Sequence, residues 1–397
     1  MKNACNSDQC QNQNGLCHYQ KPGEEIHQVY TSDFVPGSMS FASKYSSGSF
    51  LYPSPFSQQS GFVQTLMEKV KLHCCNVLIP VGEETYLIAK HKQKFLQHTN
   101  MAIPDYDQIL IAHNKDRWGA MATELGIRCP ATFEISDVRQ GRVDGLPFPV
   151  LIKPKQGGGG WGIVQVDSPQ EMESLLSRDD HWGRPWERFF IQQKIDGQTH
   201  CVAMLFRQGE YRAKVGYKQL RSYPIKCGQA TLRISVEHKG AEESLQRLLE
   251  EMKWHGVCQA DFIVEKCSGV PYLIDVNPRF WGSLAQGIAC GVDFPYLVYK
   301  IAARGDVPSQ ASFSTGVVTR WIGGDLAAFM PSLRQAENKL AFLREYFRPH
   351  RRASDYDDLS LSDPLPFMSW MADALYRSVK KRGTQSRSHD SLEGIWE

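Results

Sequence analysis

The chain has 397 residues, enough for about two or three packed subdomains around a large core. Its 45 basic and 43 acidic residues leave a formal net charge of +2, so nucleic-acid and membrane partners are not expected. No apolar run reaches the ~18 residues of a membrane span, and the N-terminus lacks the apolar core of a signal peptide. The 11 cysteines are odd in number and scattered, which predicts reduced thiols and a cytoplasmic location.

The first part of the chain is predicted to be a polar leader followed by a small α/β domain. Residues 1–26 are rich in Asn and Gln and are expected to be disordered. Beyond them, strand-like and helical patterns alternate, which favours a small domain with a parallel sheet. The predicted strands are HQVYTSDF, FLYPSPF, CCNVLIPVG and YDQILIAH, and the predicted helices are GFVQTLMEKVKLH, EETYLIAKHKQKFL and KDRWGAMATELG.

A glycine run follows in PFPVLIKPKQGGGGWGIVQV, residues 147–166. The Lys-Ser/Thr ending of a P-loop is missing, and a dinucleotide-binding loop would open a helix where WGIVQV reads as a strand. The glycines are therefore predicted at the tip of a hairpin, with Lys153 on the incoming strand. Such a hairpin can fold over a triphosphate, because exposed backbone N–H groups and a lysine both attract phosphate oxygens.

A second hairpin is predicted after the amphipathic helix AEESLQRLLEEMKW, in GVCQADFIVEK and PYLIDVNPRFWGS. Strand alternation puts Asp275 and Asn277 on one face, ~6–7 Å apart, with Asp261 across from them on the partner strand. Two carboxylates and an amide oxygen are ligands suited to magnesium. Arg279 follows at once, and its planar fork suits a transferring phosphoryl group.

These motifs together resemble the ATP-grasp superfamily, in its carboxylate–amine ligase group, which is similar to carbamoyl phosphate synthase. The matching segments are LIPVGEETYLIAK, AHNKDRWGAMATELGIRCPATFEI, LIKPKQGGGGWGI, FIQQKIDGQTH, QADFIVEK and YLIDVNPRFWGS. The resemblance implies an α/β (α+β) protein in which a small Rossmann-like pre-ATP-grasp domain precedes a two-subdomain ATP-grasp fold with antiparallel sheets. The implied units are a leader (1–26), the pre-ATP-grasp domain (27–112), the lid subdomain (113–193), the C-terminal subdomain with the metal site (194–330), and a helical extension with a disordered tail (331–397).

The resemblance also implies roles for individual residues. Lys115 and Lys153 match the two phosphate-binding lysines, and Lys153 and Arg279 are the implied catalytic residues. The implied magnesium or manganese ligands are Asp261, Asp275 and Asn277. The implied nucleotide contacts are Gly157, Gly158, Gly159 and Gly160 in the flap, the backbone of Gln193 and Ile195, the side chain of Gln192, and His200.

Two positions depart from the family pattern. The family usually has glutamate where Asp275 stands. It also has an acidic residue in the hinge, the segment IQQKIDG, where this chain has Gln192 and Gln193. The implied reaction remains ATP-dependent: a carboxylate takes the γ-phosphoryl group, and an amine then displaces phosphate from the acyl phosphate. Amino acids or small peptides are the expected substrates, and a homodimer is a possible assembly.

A basic region, GYKQLRSYPIKCGQATLRISVEHKG, is predicted to bind the carboxylated substrate. Arg221 and Arg233 lie in it, and Arg320 is predicted to close the same pocket. In the C-terminal extension, Asp355, Asp357 and Asp358 are interpreted as a solvated turn rather than a cation site.

Two other functions remain open from the sequence. The same fold could activate bicarbonate, as a carboxylase or a carbamoyl-phosphate-type enzyme, and bicarbonate dependence of ADP release would distinguish it. A non-catalytic nucleotide-binding module is also conceivable, because the hinge departs from the family pattern. Such a module would bind ATP without releasing phosphate from any mixture of acid and amine.

Overall fold

The computed structural model describes residues 28–143, 145–155, 162–178, 180–181, 183–223, 228–347 and 353–380. Its helices are α1 (Gln59–Leu72), α2 (Glu84–Lys90), α3 (Lys92–Phe95), α4 (Tyr106–His113), α5 (Lys115–Glu124), α6 (Ile135–Arg139), α7 (Pro169–Leu176), α8 (Lys239–Glu251), α9 (Leu284–Ala289), α10 (Phe294–Arg304), α11 (Ile322–Gln335), α12 (Lys339–Tyr346) and α13 (Leu365–Lys380). Its strands are β1 (Tyr30–Asp33), β2 (Gly48–Leu51), β3 (Thr132–Glu134), β4 (Val150–Pro154), β5 (Val164–Val166), β6 (Asp180–His181), β7 (Arg184–Pro185), β8 (Phe189–Gln193), β9 (Gly197–Arg207), β10 (Glu210–Tyr223), β11 (Gln229–Ser235), β12 (Gly256–Glu265), β13 (Pro271–Asn277), β14 (Val318–Arg320) and β15 (Ala353–Tyr356). Within these ranges, no helix combines the length and the apolarity needed to cross a bilayer.

Two sheets dominate the fold. A seven-stranded sheet has the order β13-β12-β9-β10-β11-β14-β15, and a four-stranded sheet has the order β3-β8-β4-β5. Their strand pairs are antiparallel, except that β15 runs parallel to β14. The predicted α+β fold with antiparallel sheets is therefore confirmed.

The region before the four-stranded sheet is mainly helical. Helix α1 buries Phe62, Leu66 and Val70, whose four-residue spacing places them on one face. The only parallel strand pair found in this described region is β1 with β2.

Two strands predicted in this region are wrong. YDQILIAH forms helix α4, because Asp105 begins the helix with a capping box whose other member is Gln108. CCNVLIPVG is largely buried at its apolar residues, but it pairs only through one parallel bridge, between Val77 and Asn100. The apolar run CCNVLIPVG therefore predicts burial correctly, but its predicted strand does not form.

The predicted glycine-loop hairpin consists of β4 and β5. Val150 pairs with Val166, and both are buried with Ile152 in a small core beneath the sheet. Strand alternation consequently places Lys153 on the other face of β4. The flap residues Gly157–Gly160 lie outside the described residues.

Helix α8 covers one face of the seven-stranded sheet. Its residues Leu245, Leu248 and Leu249 are fully buried in the same core as Val202 of β9 and Phe262 of β12. Burying one such leucine stabilises the folded chain by ~1.5–3 kcal/mol relative to leaving it exposed. Because Phe262 faces α8, the adjacent residue Asp261 lies on the opposite face of β12.

Buried charges join the C-terminal extension to the seven-stranded sheet. Arg233 of β11 pairs with Asp357, just after β15, and neither side chain has exposed surface. The carboxylate of Asp358 accepts hydrogen bonds from the first two backbone N–H groups of α11, at 3.1 and 2.8 Å. The predicted solvated turn is therefore wrong for Asp357 and Asp358, because one neutralises a cation and the other caps a helix. The side chain of Asp355 lies outside the described part.

Candidate functional site

Two carboxylates face each other across the hairpin of β12 and β13. Asp261 is paired directly with Asp275, and the next pair on the same face, two residues along the ladder, is Gln259 with Asn277. Directly opposed residues of an antiparallel pair have Cα atoms only ~4.5–5.5 Å apart. The three predicted metal ligands therefore lie together on one face of this hairpin.

The environment of Asp261 fits a divalent cation. Burial, followed by the charge of Asp275, raises the pKa of Asp261 to about 6. A cation between the two carboxylates would relieve their repulsion and favour the ionised form. The thiol of Cys201 donates to Oδ1 of Asp261 at 2.9 Å, and burial keeps the pKa of this thiol well above its ordinary value. In the described ranges, no group of three His, Cys, Asp or Glu residues could hold a metal, and the predicted ligand set accordingly includes the amide of Asn277.

Lys115 connects this hairpin to the smaller sheet. It is the first residue of α5, and its Nζ lies 3.7 Å from Oδ1 of Asp275. The same ammonium lies 5.3 Å from the centroid of the Phe190 ring on β8. Both Lys115 and Asp275 remain partly exposed, so an anion could reach them.

A cavity of about 670 Å³ opens between α5 and the four-stranded sheet. This volume lies in the range of sites for nucleotide-sized ligands. One wall comes from the C-terminus of α4 and from α5, and the other comes from β3 and β8. The wall residues that matter here are His113, Lys115, Trp118, Thr132, Phe190 and Gln192.

Lys153 contacts the sheet side of this cavity through Gln192, which lines it. Nζ of Lys153 donates to Oε1 of Gln192 at 2.6 Å, and both side chains are buried. The backbone N–H of Gln193 donates to Ala131, so any contact of Gln193 with a base would have to use its carbonyl oxygen. Ile195 is half-buried in the loop that follows β8.

Arg279 is held by a carboxylate that the sequence did not indicate. Its Nε lies 2.7 Å from Oε1 of Glu83, and Nη1 donates to the carbonyl of Phe280 at 2.9 Å. Burial opposes protonation, but the negative charge of Glu83 still raises the pKa of Arg279 above its ordinary value. Glu83 immediately precedes α2. It is 196 positions from Arg279 in the sequence, so a local sequence pattern cannot predict that the two residues pair.

His200 does not join the other predicted nucleotide contacts. It neighbours Cys201 on β9, so their side chains take opposite faces, and Cys201 faces Asp261. The His200 ring packs against His238 at 5.3 Å, and burial lowers its pKa to about 4. Strand alternation thus turns His200 away from the metal ligands, and its contact with a nucleotide stays a prediction.

The three arginines predicted to bind substrate make structural contacts. Arg233 is buried against Asp357, which argues against direct contact with a substrate. Arg221 and Arg320 both pair with the buried Asp325, at 2.9 and 3.0 Å. Their side chains keep 19% and 30% of their surface exposed, so a substrate role for these two stays a prediction.

His113 and Tyr86 were missed by the sequence analysis. The Tyr86 hydroxyl and Nδ1 of His113 are 3.3 Å apart, and His113 lines the cavity. Burial lowers the pKa of His113, so its neutral form is favoured at neutral pH. The sequence pattern predicts a strand for the segment that ends at His113, and a strand would not place His113 at the end of a helix beside the cavity.

Comparison with known proteins agrees with this geometry. Residues 112–283 match the ATP-grasp domain family. The chain is 23% identical over 366 residues to the carbamoyl phosphate synthase large chain of Thermotoga maritima, a match that covers 89% of this chain and 29% of that protein. This chain therefore spans less than a third of the length of that relative.

Solved structures share the fold at low sequence identity. The L-amino acid ligase from Bacillus licheniformis superposes with a TM-score of 0.51 at 16% identity, over 66% of this chain and 64% of that one. The biotin carboxylase domain of 2-oxoglutarate carboxylase from Hydrogenobacter thermophilus, in complex with MgADP, ADP and bicarbonate, gives 0.53 at 16% identity, over 69% and 64%. The family resemblance inferred from the motifs is thus confirmed, and residues 112–283 are an ATP-grasp domain in a chain similar to carbamoyl phosphate synthase large chains.

Proposed function

We propose that the protein is an ATP-dependent ligase that activates a carboxylate as an acyl phosphate and transfers the acyl group to an amine. The observation that carries this proposal is the position of Lys115. Its ammonium lies in the wall of the nucleotide-sized cavity and 3.7 Å from Asp275 of the proposed metal site. A triphosphate bound in the cavity with its terminal phosphate at this lysine would therefore also lie next to the acidic hairpin.

In the proposed reaction, an oxygen of the substrate carboxylate attacks the γ-phosphorus, and the bond to the bridging oxygen of ADP breaks. The amine nitrogen then attacks the acyl carbon, phosphate leaves with the C–O electron pair, and the nitrogen loses a proton. Lys115, Lys153 and Arg279 stabilise the negative charge of the transferring phosphoryl group. Mg²⁺ or Mn²⁺, when bound by Asp261, Asp275 and Asn277, supplies further positive charge next to the phosphate oxygens.

The acid and amine are proposed to be amino acids or small peptides, which the fold shared with an L-amino acid ligase supports. Bicarbonate is a second candidate for the activated acid. Similarity to a carbamoyl phosphate synthase large chain, and to a biotin carboxylase domain solved with bicarbonate, favours it. Both candidates use the same phosphoryl transfer and differ only in the acid.

The remaining parts of the proposal concern organisation. We keep the division at residues 27–112, 113–193, 194–330 and 331–397, which the change from helices to the two sheets supports. A cytoplasmic location is supported by the seven described cysteines, all of which are free thiols. A homodimer of this chain is proposed by analogy with the dimer of the Hydrogenobacter thermophilus domain.

The test is a screen of ADP and phosphate release with ATP, Mg²⁺ and pairs of amino acids, with and without bicarbonate. We expect release to require either an amino-acid pair or bicarbonate. Asp275→Asn should reduce the rate at least ~100-fold, because it removes a charge from the phosphoryl site. Asp107→Asn, on the exposed surface of α4, is the matched control and should keep the parent rate. If Asp275→Asn consumed ATP as fast as the parent, the proposed function would be wrong.

A further inference from the structure

One directed chain of hydrogen bonds links two of the proposed metal ligands, Asp261 and Asn277, and it passes through Gln259. The Gln259 side chain is 4% exposed and lies between Asp261 and Asn277 on the metal face of the hairpin. Its Nε2 donates to Oδ1 of Asp261 at 2.7 Å, and its Oε1 accepts from Nδ2 of Asn277 at 2.8 Å. Both contacts have the length of good hydrogen bonds.

The direction of this chain is set by its first member. An ionised carboxylate can only accept hydrogen bonds, so Asp261 requires the NH₂ end of Gln259. The carbonyl end of Gln259 must then face Asn277, which in turn must offer its own NH₂ group. The carbonyl oxygen of Asn277 is thereby left on the far side of its amide, and this oxygen is the atom that a hard cation prefers.

The same contacts select one oxygen of Asp261. Gln259 and Cys201 both donate to Oδ1, at 2.7 and 2.9 Å. These two donors leave Oδ2 of Asp261 as the oxygen available to a cation. A half-turn would exchange the oxygen of the Asn277 amide for its NH₂ group, so the chain of hydrogen bonds holds this amide in one orientation, and the two donors hold the Asp261 carboxylate in place.

We propose that Gln259 is a positioning residue, which fixes the atoms that Asn277 and Asp261 present to the divalent cation. This inference rests on the proposed function, because it concerns the metal site of that reaction. Gln259 does not itself contact the cation or the phosphates. It acts by orienting two residues that do, as outer-shell partners of metal sites commonly act.

The experiment measures Mn²⁺ binding to the full-length protein by the EPR signal of free Mn²⁺, with and without ADP. Gln259→Met keeps the size of the side chain and removes both hydrogen bonds. We expect it to weaken Mn²⁺ binding ~10–100-fold. In the background of Asn277→Asp, the same substitution should weaken binding by a smaller factor, because a carboxylate at position 277 presents an oxygen in either orientation and only the contact to Asp261 is then lost.

A purely structural role for Gln259 would predict the same loss in both backgrounds, and that result would overturn the inference. Gln286→Met is the matched control. Gln286 is also a fully buried amide that is hydrogen-bonded at both ends, to Thr319, Val317 and Cys290, but it lies in α9. It should lower the melting temperature and leave the affinity for Mn²⁺ unchanged.

Gln259→Glu keeps the proposal testable if Gln259→Met does not fold. Added negative charge alone would tighten Mn²⁺ binding, whereas loss of the donor to Asp261 should weaken it. Tighter binding would therefore overturn the inference. If the parent protein itself binds no Mn²⁺ with ADP present, the proposed metal site fails and the inference fails with it. If the parent binds and Gln259→Met binds equally well, only the inference fails.

Discussion

Removing the cation of the buried pair between Arg233 and Asp357 should loosen the C-terminal extension. Both side chains have no exposed surface, so Arg233→Met would leave a carboxylate buried without its partner. Breaking a buried ion pair on one side costs ~3–5 kcal/mol. Because ~1.4 kcal/mol is a factor of ten, the locally open population should rise roughly 10²- to 10⁴-fold.

Hydrogen exchange measured by mass spectrometry is the appropriate assay, because a chain with several subdomains need not unfold in one step. Exchange in β14 and at the start of α11 should accelerate by the factor given above. Arg233→Met combined with Asp357→Leu should recover most of the protection, since two well-packed apolar side chains replace the pair. Arg247→Met, on the exposed face of α8, is the control. Unchanged exchange in Arg233→Met, with loss of ligase activity, would refute the structural role and favour substrate binding.

Two further predictions concern stability. Gly256→Ala should lower the melting temperature far more than Gly269→Ala: both glycines have positive φ, but only at Gly256 (φ +102°) would a Cβ lie 2.6 Å from the backbone oxygen of Ala102. Equal shifts of the two melting temperatures would contradict this. Asp33 is fully buried, and burial raises its pKa from 3.8 to about 7, so the folded state binds the proton more tightly than the unfolded state. The free energy of unfolding should therefore fall as pH rises from ~4 to ~7. Measured by urea titrations, this fall should be less steep in Asp33→Asn. An equally steep fall in the variant would contradict the raised pKa of Asp33.

The two hairpins could be predicted because each strand carries its own local signal. Alternation in β12 and β13 placed Asp261, Asp275 and Asn277 on one face, and the observed register pairs Asp261 with Asp275. Lys153 on β4 followed from the same reasoning. In strands, a two-residue period is enough to assign faces once the hairpin is recognised.

Contacts between distant segments could not be predicted in this way. The pairing of Arg279 with Glu83 and the approach of Lys115 to Asp275 depend on how α2 and α5 pack against the large sheet. The apolar run YDQILIAH predicts a strand because a short apolar run has no clear period, whereas the capping box of Asp105 and Gln108 makes this segment helix α4. The motif gives the position of His200 in the chain but not its face on β9, so its packing against His238 could not be predicted.

The place of β15 at the margin of the seven-stranded sheet matters for anyone who shortens this protein. A version ending near residue 330 would strip β15 from β14 and uncover a row of main-chain donors and acceptors. An exposed, unpaired edge strand is a template on which further copies of the chain can add strands. A protein shortened at that point is thus expected to aggregate, and a truncation that avoids this must keep β15 paired with β14.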